Sequence, residues 1–428
     1  MKFFLAGKWQ DRKEQLDVTN PANGEVIDTV PVASGEDVES ALRSSQAGAK
    51  VMAELTGYER FQILRRTADL LLERRDQLAQ VLSKEEGKTI AEATSEVERS
   101  AQAMELSGEE AKRLGGEVLP LDGGQGVNNK LGFTLRIPCG VVAAITPFNF
   151  PLSLVCHKVG PALAAGNAVI LKPASDTPLI ALHLVEALLD AGLPVTAISC
   201  VTGSGRSVGQ AICSDKRVRK ISFTGSYEVG EQICAIAGIK KVTMELGANS
   251  PLIVLPDADL DKVVAATVFS GFANAGQVCI SAQRLIVTDE VHDELMAKLI
   301  PKIESIVSGD QLSRETQMGP MVRSADAARV HDWIVEAERQ GASIACGGQR
   351  DGAFMQPTLL LSAGKKMKVV KDELFGPAVA VCSARDADDA IVMANDSNFG
   401  LSAGVFTQDV DAAVRFAKEV DCENVHIN

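Results

Sequence analysis

Apolar and polar residues recur with helical spacing over residues 36–112. Apolar side chains return every three or four positions with Arg and Glu between them, which predicts amphipathic helices that bury one face. The apolar positions that mark this face are Phe61, Leu64, Ala68, Leu71, Leu78 and Leu82. This part of the chain is therefore expected to pack as helices against a core.

From residue 141 the pattern changes to short, largely apolar runs separated by helical segments. Because these runs do not alternate with polar residues, they predict strands that are buried on both faces. The runs lie at 141–145, 168–171, 198–201, 220–224, 242–244 and 252–255. The clearest helix between them starts with Thr177 as N-cap and Pro178 in the first turn, and it ends at Gly192. Strands that alternate with helices predict a parallel, doubly wound sheet.

A second alternating series extends from residue 284 to the end of the chain and predicts a second α/β domain. Its helical stretches lie near 290–307, 324–340, 386–395 and 410–419. Residues 114–137 differ from both series, because a Gly-rich turn at 122–124 precedes an alternating run at 131–136. This combination predicts a protruding β-hairpin. The expected fold class is α/β, with two doubly wound open-sheet domains and a small hairpin region.

Composition and charge restrict the class of function. With 428 residues, 46% of them apolar, the chain can bury more than one core, and about 150 residues per domain suggests two or three domains. The net charge of -13 and the pI near 5.0 argue against nucleic acid or an anionic membrane as partner. No apolar run approaches the ~20 residues that span a bilayer. We therefore expect a cytoplasmic protein that acts on small molecules.

The cysteines include one candidate nucleophile. Nine cysteines are present, an odd number, and no two have CxxC spacing, so most are expected to be reduced core thiols. The five His residues form no HExxH pattern, so no metal site is expected. Cys279 differs because its neighbours Ala275, Gly276 and Ser281 are small and leave room for a substrate. A thiolate there could attack a carbonyl carbon, although taken alone Cys279 also fits a packed core thiol.

Two further side chains have the chemistry to assist a thiolate. Glu245 ends an apolar run, where partial desolvation of its carboxylate would raise its pKa and suit it to act as a base. Asn149 lies in the segment 146–151, where Pro147 and Pro151 block a helix, so its amide could stabilise an oxyanion. Each residue also has a commoner interpretation, Glu245 as a surface ion pair and Asn149 as a turn residue.

The order and spacing of these residues resemble one enzyme family. The segment Thr146–Pro151 precedes Met244–Gly247, and Cys279 in Gly276–Cys279 follows Glu245 by 34 positions. The pattern is similar to the aldehyde dehydrogenase superfamily, of the NAD(P)-dependent, non-phosphorylating, hydrolytic type, over nearly the whole chain. The resemblance implies oxidation of an aldehyde to a carboxylic acid through a thioester on Cys279. Glu245 would activate water, and Asn149 would bind the oxyanion together with the Cys279 N–H.

The cofactor-binding residues are less evident in the sequence. A strict GxGxxG fingerprint is missing, because the stretch 203–209 carries one residue too many. The segment 223–230 instead joins a strand to a helix, whose N-terminus could receive pyrophosphate. The resemblance implies cofactor contacts from Thr146, Pro147, Phe148, Lys172, Ser175, Gly225, Ser226, Leu246, Glu373 and Phe375. Among these, Lys172 would contact the adenosine ribose, Glu373 would hold the nicotinamide ribose, and Phe375 would pack beside the ring.

Ser175 favours NADP over NAD as the cofactor. Many NAD-preferring relatives carry Glu at this position. Loss of that carboxylate removes repulsion against a 2′-phosphate, which Lys172 and Ser175 could then bind. The alternative is that Ser175 only caps the next helix.

Other functions and other site residues remain open at this stage. A coenzyme A-acylating semialdehyde dehydrogenase would have less need of Glu245 as a base for water. A Cys-dependent hydrolase or acyltransferase would need a His paired with the thiol, and no His lies in a recognisable pairing motif. A non-catalytic protein on the same scaffold would not need Cys279, Glu245 and Asn149 together. His157 and Arg284 either border the substrate or are structural.

The resemblance also implies a division into domains. Residues 1–113 and 138–246 would form the cofactor-binding domain, 114–137 an oligomerisation hairpin, and 247–428 the catalytic domain. Relatives usually continue past the position of Asn428 through a Gly-rich segment and a further strand, so either the C-terminal end is incomplete or this protein closes differently. The expected partners are a small aldehyde and further copies of the chain, as a homodimer or homotetramer.

Overall fold

Two seven-stranded sheets organise the computed structural model, which describes residues 1–127 and 129–428. The strands are β1 Phe3–Leu5, β2 Lys8–Gln10, β3 Gln15–Thr19, β4 Val26–Pro31, β5 Val118–Leu119, β6 Gly132–Phe133, β7 Val141–Ile145, β8 Ala168–Lys172, β9 Ile198–Cys200, β10 Val218–Thr224, β11 Lys241–Glu245, β12 Pro251–Val254, β13 Arg284–Thr288, β14 Ser343–Cys346, β15 Arg350–Asp351, β16 Phe354–Met355, β17 Thr358–Leu361, β18 Ala378–Ala384, β19 Ser402–Phe406 and β20 Asn424–Ile427.

The α-helices alternate with these strands over most of the chain. They are α1 Gly35–Glu54, α2 Gly57–Glu73, α3 Arg75–Glu86, α4 Ile90–Ala111, α5 Ser153–Ala164, α6 Leu179–Asp190, α7 Gln210–Ser214, α8 Tyr227–Ala237, α9 Leu260–Phe272, α10 His292–Glu304, α11 Ser324–Arg339, α12 Lys368–Lys371, α13 Ala387–Asn395 and α14 Val410–Glu419. The prediction of an α/β fold with two doubly wound sheets is confirmed.

The first compact unit comprises residues 1–18, 26–82 and 93–245. Its sheet has the order β11-β10-β7-β8-β9-β1-β2, in which β7 to β11 are parallel and β1 and β2 run antiparallel to their neighbours. The chain moves outward from β7 through β8 to β9 and then returns to place β10 on the other side of β7. The strand order therefore reverses between β7 and β10, and open α/β sheets bind ligands at the carboxyl ends of strands at such a point.

The amphipathic region of this unit divides into consecutive helices. Leu64, Ala68, Leu71, Leu78 and Leu82 are buried as predicted, and Phe61 is half-buried. α1 and α2 each begin with a capping box, formed by Ser34 with Asp37 and by Thr56 with Glu59, which satisfies N–H groups that the helix leaves unpaired. These caps fix where the helices start, a feature that the apolar pattern alone does not show.

The start of α6 differs by one residue from the prediction. The N-cap is Pro178, without a side-chain cap, and Thr177 is wholly buried. Because the Thr177 side chain points into the interior, its hydroxyl finds no hydrogen-bond partner among the described residues and does not cap the helix. The end of the helix agrees with the prediction, since Gly192 adopts a left-handed φ of 91°.

The hairpin region is short and exposes apolar side chains. β5 and β6 pair antiparallel over two residues each, and the predicted turn contains a 3-10 turn at Leu121–Gly123. Position 128 of the predicted segment lies outside the described residues. The exposed apolar side chains are Val118 at 74%, Leu131 at 78%, Phe133 at 62%, Leu135 at 73% and Ile137 at 81%. Such a cluster is typical of an interaction surface.

The second compact unit comprises residues 19–25, 83–92 and 246–428. Its sheet has the order β14-β17-β18-β13-β12-β19-β20, and β14 alone pairs antiparallel with its neighbour. The central strands β12 and β13 are buried along their whole length, which agrees with their continuous apolar sequence. Among the described residues, no helix has both the length and the apolar character needed to cross a bilayer.

Candidate active site

In the first unit, four predicted site residues lie where parallel strands end. Thr146 and Gly225 follow β7 and β10, and Lys172 and Glu245 are the last residues of β8 and β11. The sheet register aligns these positions: Ile145 pairs with both Lys172 and Phe223, and Thr224 pairs with Glu245. The sequence-predicted residues of this unit therefore meet at the carboxyl edge of one sheet, next to the reversal of strand order.

Asn149 lies in a segment that is anchored at both ends. The Thr146 N–H donates to the Lys172 carbonyl at 3.2 Å, and the Leu152 N–H donates to Oε1 of Glu96 at 3.0 Å. Glu96 is wholly buried, and its carboxylate takes the capping position at the start of α5, where the N-cap residue supplies no side-chain cap. Asn149 itself is 3% exposed. The two prolines delay the helix, as predicted, and the anchors fix the irregular segment.

Glu245 is exposed, so the prediction that its carboxylate is partly desolvated is wrong. The physical reason is that β11 is the edge strand of its sheet, and four of its five residues are exposed. The charge of Glu245 acts on the pKa values of two basic residues of α5. Burial lowers the pKa of Lys158 to about 8, and Glu245 partly offsets this effect. Burial, with Lys158 and Arg99, also lowers the pKa of His157, again partly offset by Glu245.

The N-terminus of α8 has the features of an anion site. Gly225 packs so closely on the Phe223 ring that a Cβ would collide with it, and Ser226 is the N-cap, with Oγ accepting from the Val229 N–H at 3.4 Å. The first turn of α8 therefore presents backbone N–H groups and the positive end of the helix dipole beside the strand end. This geometry fits the pyrophosphate of a dinucleotide.

Lys172 is the last residue of β8, and Ser175 lies in the loop that follows. Burial lowers the pKa of Lys172 to about 8, with Asp176 partly offsetting it, and Nζ donates to the Pro173 carbonyl at 2.9 Å. The Ser175 hydroxyl donates to the Gly203 carbonyl at 3.2 Å, and it does not cap α6, so that alternative is wrong. The Lys172 ammonium and the Ser175 hydroxyl can both donate to a phosphate, whereas a Glu in place of Ser175 would repel it.

In the second unit, Cys279 follows a strained turn. After α9, Asn274 and Ala275 have left-handed backbone angles, with φ of 51° and 53°, and Gly276 follows with φ of 69°. Each left-handed non-Gly residue costs about 1–2 kcal/mol relative to the right-handed form, so packing must hold the turn in place. A Cβ at Gly276 would collide with the backbone of Gly376. Cys279 is partly exposed at the end of this turn.

The other thiols differ in exposure. Burial raises the pKa of Cys213 and Cys382 to about 11 each, and also raises that of Cys156 and Cys200, which keeps these thiols protonated and unreactive. The prediction of core thiols is wrong for Cys234, which is exposed because it lies outside the buried face of α8, and Cys139 and Cys422 are only half-buried.

The remaining predicted cofactor residues are in the second unit. Oε1 of Glu373 accepts from the Ala248 N–H at 3.0 Å, and a Cβ on Gly247 would collide with that carboxylate. The loop that starts at Leu246 is thereby tied to Glu373. Phe375 is half-buried, with a left-handed φ of 49°.

Arg284 has a structural role. Its guanidinium is buried and donates to the carbonyls of Asn249, Met393 and Ala394 at 2.8–3.0 Å. All three guanidinium nitrogens therefore donate hydrogen bonds to backbone carbonyls. Two of these carbonyls belong to residues at the end of α13.

Comparison with known proteins identifies the chain's family. The family model described as the aldehyde dehydrogenase family matches residues 9–428. The chain belongs to the aldehyde dehydrogenase family. A 3-sulfolactaldehyde dehydrogenase of Priestia aryabhattai is 43% identical over 99% of this chain and 89% of its own length. The succinate-semialdehyde dehydrogenase GabD of Escherichia coli K12, whose name specifies NADP(+), is 40% identical over 99% of this chain and 89% of its own length.

Solved structures agree with this assignment. The crystal structure of aldehyde dehydrogenase 21 from Physcomitrella patens, in complex with the reaction product succinate, is 36% identical with a TM-score of 0.97, covering 100% of this chain and 89% of that chain. The prediction of a nicotinamide-dependent aldehyde dehydrogenase is confirmed. The matches give no support to the coenzyme A-acylating alternative or to a Cys-dependent hydrolase.

The burial of Lys158 in this aldehyde dehydrogenase was not predicted from the sequence. Lys158 is 6% exposed, and its Nζ donates to the Ser222 hydroxyl at 3.4 Å. The available signal was a lysine in the otherwise apolar helix α5, directly after His157. A charge in such a helix is rarely buried without a functional or structural reason. Within the part of the chain that the structure describes, no group of three or more His, Cys, Asp and Glu could hold a metal ion.

Proposed function

We propose that this aldehyde dehydrogenase oxidises a short aldehyde that carries an anionic group to the corresponding acid, with NADP as the preferred acceptor. The observation that carries the catalytic assignment is Cys279 itself, a partly exposed thiol three residues after a strained turn. In contrast, Cys156, Cys200, Cys213 and Cys382 are buried and protonated. An exposed thiol ionises at lower cost than a buried one and can reach a substrate.

The proposed chemistry begins at the Cys279 sulfur. Its thiolate forms a bond to the aldehyde carbon, and the electron pair of the C=O bond moves to oxygen. The amide of Asn149 and the N–H of Cys279 donate hydrogen bonds to this oxyanion, which a fixed donor stabilises by about 3 kcal/mol. Bound NADP supplies the hydride acceptor. As the oxyanion re-forms the C=O bond, the carbon–hydrogen bond would break and its hydride would leave to that acceptor, so that the acyl group remains on Cys279 as a thioester.

The thioester is released by water. Glu245 accepts a proton from the water as its oxygen bonds to the acyl carbon, and the carbon–sulfur bond breaks to give the acid and the Cys279 thiolate. Exposure of Glu245 on an edge strand supports this role, because water reaches the carboxylate without entering a buried site. The charge of Glu245 also acts on the buried Lys158, whose lowered pKa it partly offsets.

Three features of the first unit support NADP as the hydride acceptor. The N-terminus of α8 with Gly225 and Ser226 suits the pyrophosphate, and the buried Lys172 ammonium with the Ser175 hydroxyl suits a 2′-phosphate. Thr146, Pro147 and Phe148 line the edge of the same sheet, and Leu246, Glu373 and Phe375 are proposed to hold the nicotinamide end. The name of the GabD relative, which specifies NADP(+), supports the choice.

The proposal of an anionic group on the substrate is based on a positively charged side chain of the first unit, Arg99. Arg99 is exposed, and its guanidinium lies 5.7 Å from the centre of the ring of Phe150, the residue that follows Asn149. The charge of Arg99 also helps to lower the pKa of His157. Arg99 therefore places a positive charge beside the segment that carries Asn149. The named substrates of the two relatives, 3-sulfolactaldehyde and succinate semialdehyde, both carry an acidic group, which supports an anion-bearing aldehyde here.

The assembly and location are also proposed. The exposed apolar hairpin of β5 and β6 supports a homodimer or homotetramer, because apolar clusters of this kind are normally covered by a partner. We further propose that 114–137 serves oligomerisation, that 1–113 and 138–246 bind the cofactor, and that 247–428 carries out catalysis. The nine cysteines form no disulfide among the described residues, which supports work in the reducing cytoplasm.

Absorbance of reduced nicotinamide tests the proposed function. Succinate semialdehyde and butanal, each with NADP and with NAD, are compared for the wild type, Arg99→Met and the control Arg43→Met, an exposed arginine of α1. We expect the highest kcat/KM for succinate semialdehyde with NADP, and we expect Arg99→Met to reduce it selectively for the charged substrate. Equal rates with both aldehydes in all three proteins would refute the anion subsite. Absence of acid product with every aldehyde would refute the whole proposal.

A further inference from the structure

The carboxylate of Glu92 makes two separate sets of hydrogen bonds. Oε2 accepts from the N–H and the hydroxyl of Thr89, both at 2.9 Å, and the Glu92 N–H donates to the Thr89 hydroxyl at 3.3 Å, which completes a capping box at the start of α4. Oε1 accepts from the backbone N–H of Asn274 at 2.7 Å, across 182 positions of sequence. All three residues belong to the second unit.

The second contact is made to the turn that precedes Cys279. Asn274 is the first of three consecutive left-handed residues, five positions before the nucleophile. The same turn is fixed further along by Gln277, whose amide donates to the Asn274 carbonyl at 3.0 Å and accepts from the Val322 N–H at 3.0 Å. At 2.7 Å, the bond to Glu92 has the length of a charge-assisted hydrogen bond, the stronger class.

A helix cap alone does not require this second contact. The capping box of α2 has the same Thr–Glu pair, with the Thr56 N–H donating to Glu59 at 2.7 Å, and Glu59 is exposed. The capping box of α1 uses the shorter Asp37, whose Oδ2 accepts from the Ser34 N–H at 2.9 Å. An Asp therefore suffices to cap a helix in this protein, and the Glu92 side chain is one methylene longer than the cap requires.

We propose that Glu92 is a positioning residue for Cys279: its second carboxylate oxygen fixes the first residue of the left-handed turn that ends three residues before the nucleophile. The inference rests on the role of Cys279 in the proposed function. Attack on a carbonyl carbon depends steeply on where the sulfur lies, and a displacement of about 1 Å costs up to about a hundredfold in rate. Loss of the Glu92 bond lets Asn274 and Ala275 relax from their strained angles and moves the sulfur with them.

Three variants of the full-length enzyme separate positioning from capping. Glu92→Asp keeps a side chain able to form the capping box and withdraws the carboxylate from Asn274. Glu59→Asp makes the same substitution in the matching box of α2, with no contact to the turn. Glu92→Gln keeps the length and one acceptor oxygen. The readouts are kcat and KM with succinate semialdehyde and NADP, the pH profile of iodoacetamide alkylation at Cys279 read by peptide mass, and the melting temperature.

We expect Glu92→Asp to lower kcat by at least about tenfold, with a smaller change in KM, and to move the pH profile of Cys279 alkylation. Glu59→Asp leaves both unchanged, and Glu92→Gln recovers part of the loss. If Glu92→Asp matches Glu59→Asp in kcat and in alkylation, or only lowers the melting temperature, the proposal is overturned. The alkylation comparison needs no aldehyde, so it decides the role of Glu92 even if the wild type oxidises none of the substrates tested.

Discussion

The buried carboxylate of Glu96 accepts a hydrogen bond from the backbone N–H of Leu152 at 3.0 Å, three positions after Asn149. At the other end of the segment, the Thr146 N–H is held by a carbonyl of the neighbouring strand. The backbone around Asn149 is therefore fixed by contacts that do not involve the Asn149 side chain. A change at Asn149 can remove an oxyanion donor without releasing the segment.

Asn149→Ala tests this separation. We expect kcat to fall by about a hundredfold to a thousandfold, the usual cost of removing one oxyanion donor, while the melting temperature and the rate of Cys279 alkylation stay close to the wild type. Steady-state kinetics and differential scanning fluorimetry give the two quantities. A rise in KM at unchanged kcat would instead mean that Asn149 binds substrate and transition state equally.

Ser175→Glu tests the cofactor assignment. The added carboxylate lies in the loop of the Lys172 ammonium and repels a 2′-phosphate, so we expect kcat/KM with NADP to fall by at least about tenfold and that with NAD to fall less. Ser214→Glu, at an exposed position of α7, is the control for added charge. A variant that loses activity equally with both cofactors would show that Ser175 does not distinguish them.

Lys158 gives the fold a pH-dependent stability. Burial lowers its pKa from 10.5 to about 8, so between these values the unfolded chain holds a proton that the folded chain has lost. The free energy of unfolding then rises with pH from about 8 to 10.5, by at most about 3 kcal/mol. Below pH 8 the folded chain buries the charged ammonium of Lys158, which lowers the free energy of unfolding. Lys158→Met removes this cost.

Melting temperatures of the wild type and Lys158→Met at pH 7 and pH 10 measure this penalty. We expect the variant to melt higher at pH 7 and the difference to shrink at pH 10. Lys172 remains in both proteins, so its own titration cancels in the comparison. A difference that is the same at both pH values would mean that Lys158 does not lose its proton in the folded state over this range.

The hairpin predicts the state of assembly. Phe133 and Ile137 are 62% and 81% exposed. A charged side chain at either position would be buried by a partner that covers the hairpin, which would destabilise the interface. We expect the wild type to have the mass of a dimer or tetramer by light scattering, and the double variant Phe133→Asp with Ile137→Asp to have that of a smaller species. Val410→Asp, at a 75% exposed apolar position of α14, should leave the mass unchanged. A monomeric wild type would remove the basis for this assignment.

The sequence predicts most of the fold because its signals are local. Continuous apolar runs mark β7 and β8, and the order of strands places Thr146 and Lys172 at one edge. The exposure of Glu245 could not be predicted, because whether a strand lies at the edge of a sheet depends on pairing with strands far along the chain. The burial of Lys158 and the bond from Glu92 to Asn274 were missed for the same reason, since both depend on tertiary packing.

The most direct test of the account is to trap the acyl group on Cys279. Glu245→Gln, mixed with succinate semialdehyde and NADP and then quenched in acid, should accumulate an enzyme heavier by one acyl group, because the water that releases it lacks its base. Peptide mass spectrometry should place this group on Cys279, and Cys279→Ala should show none. Acid formation without an adduct, or an adduct on another thiol such as the exposed Cys234, would contradict the account.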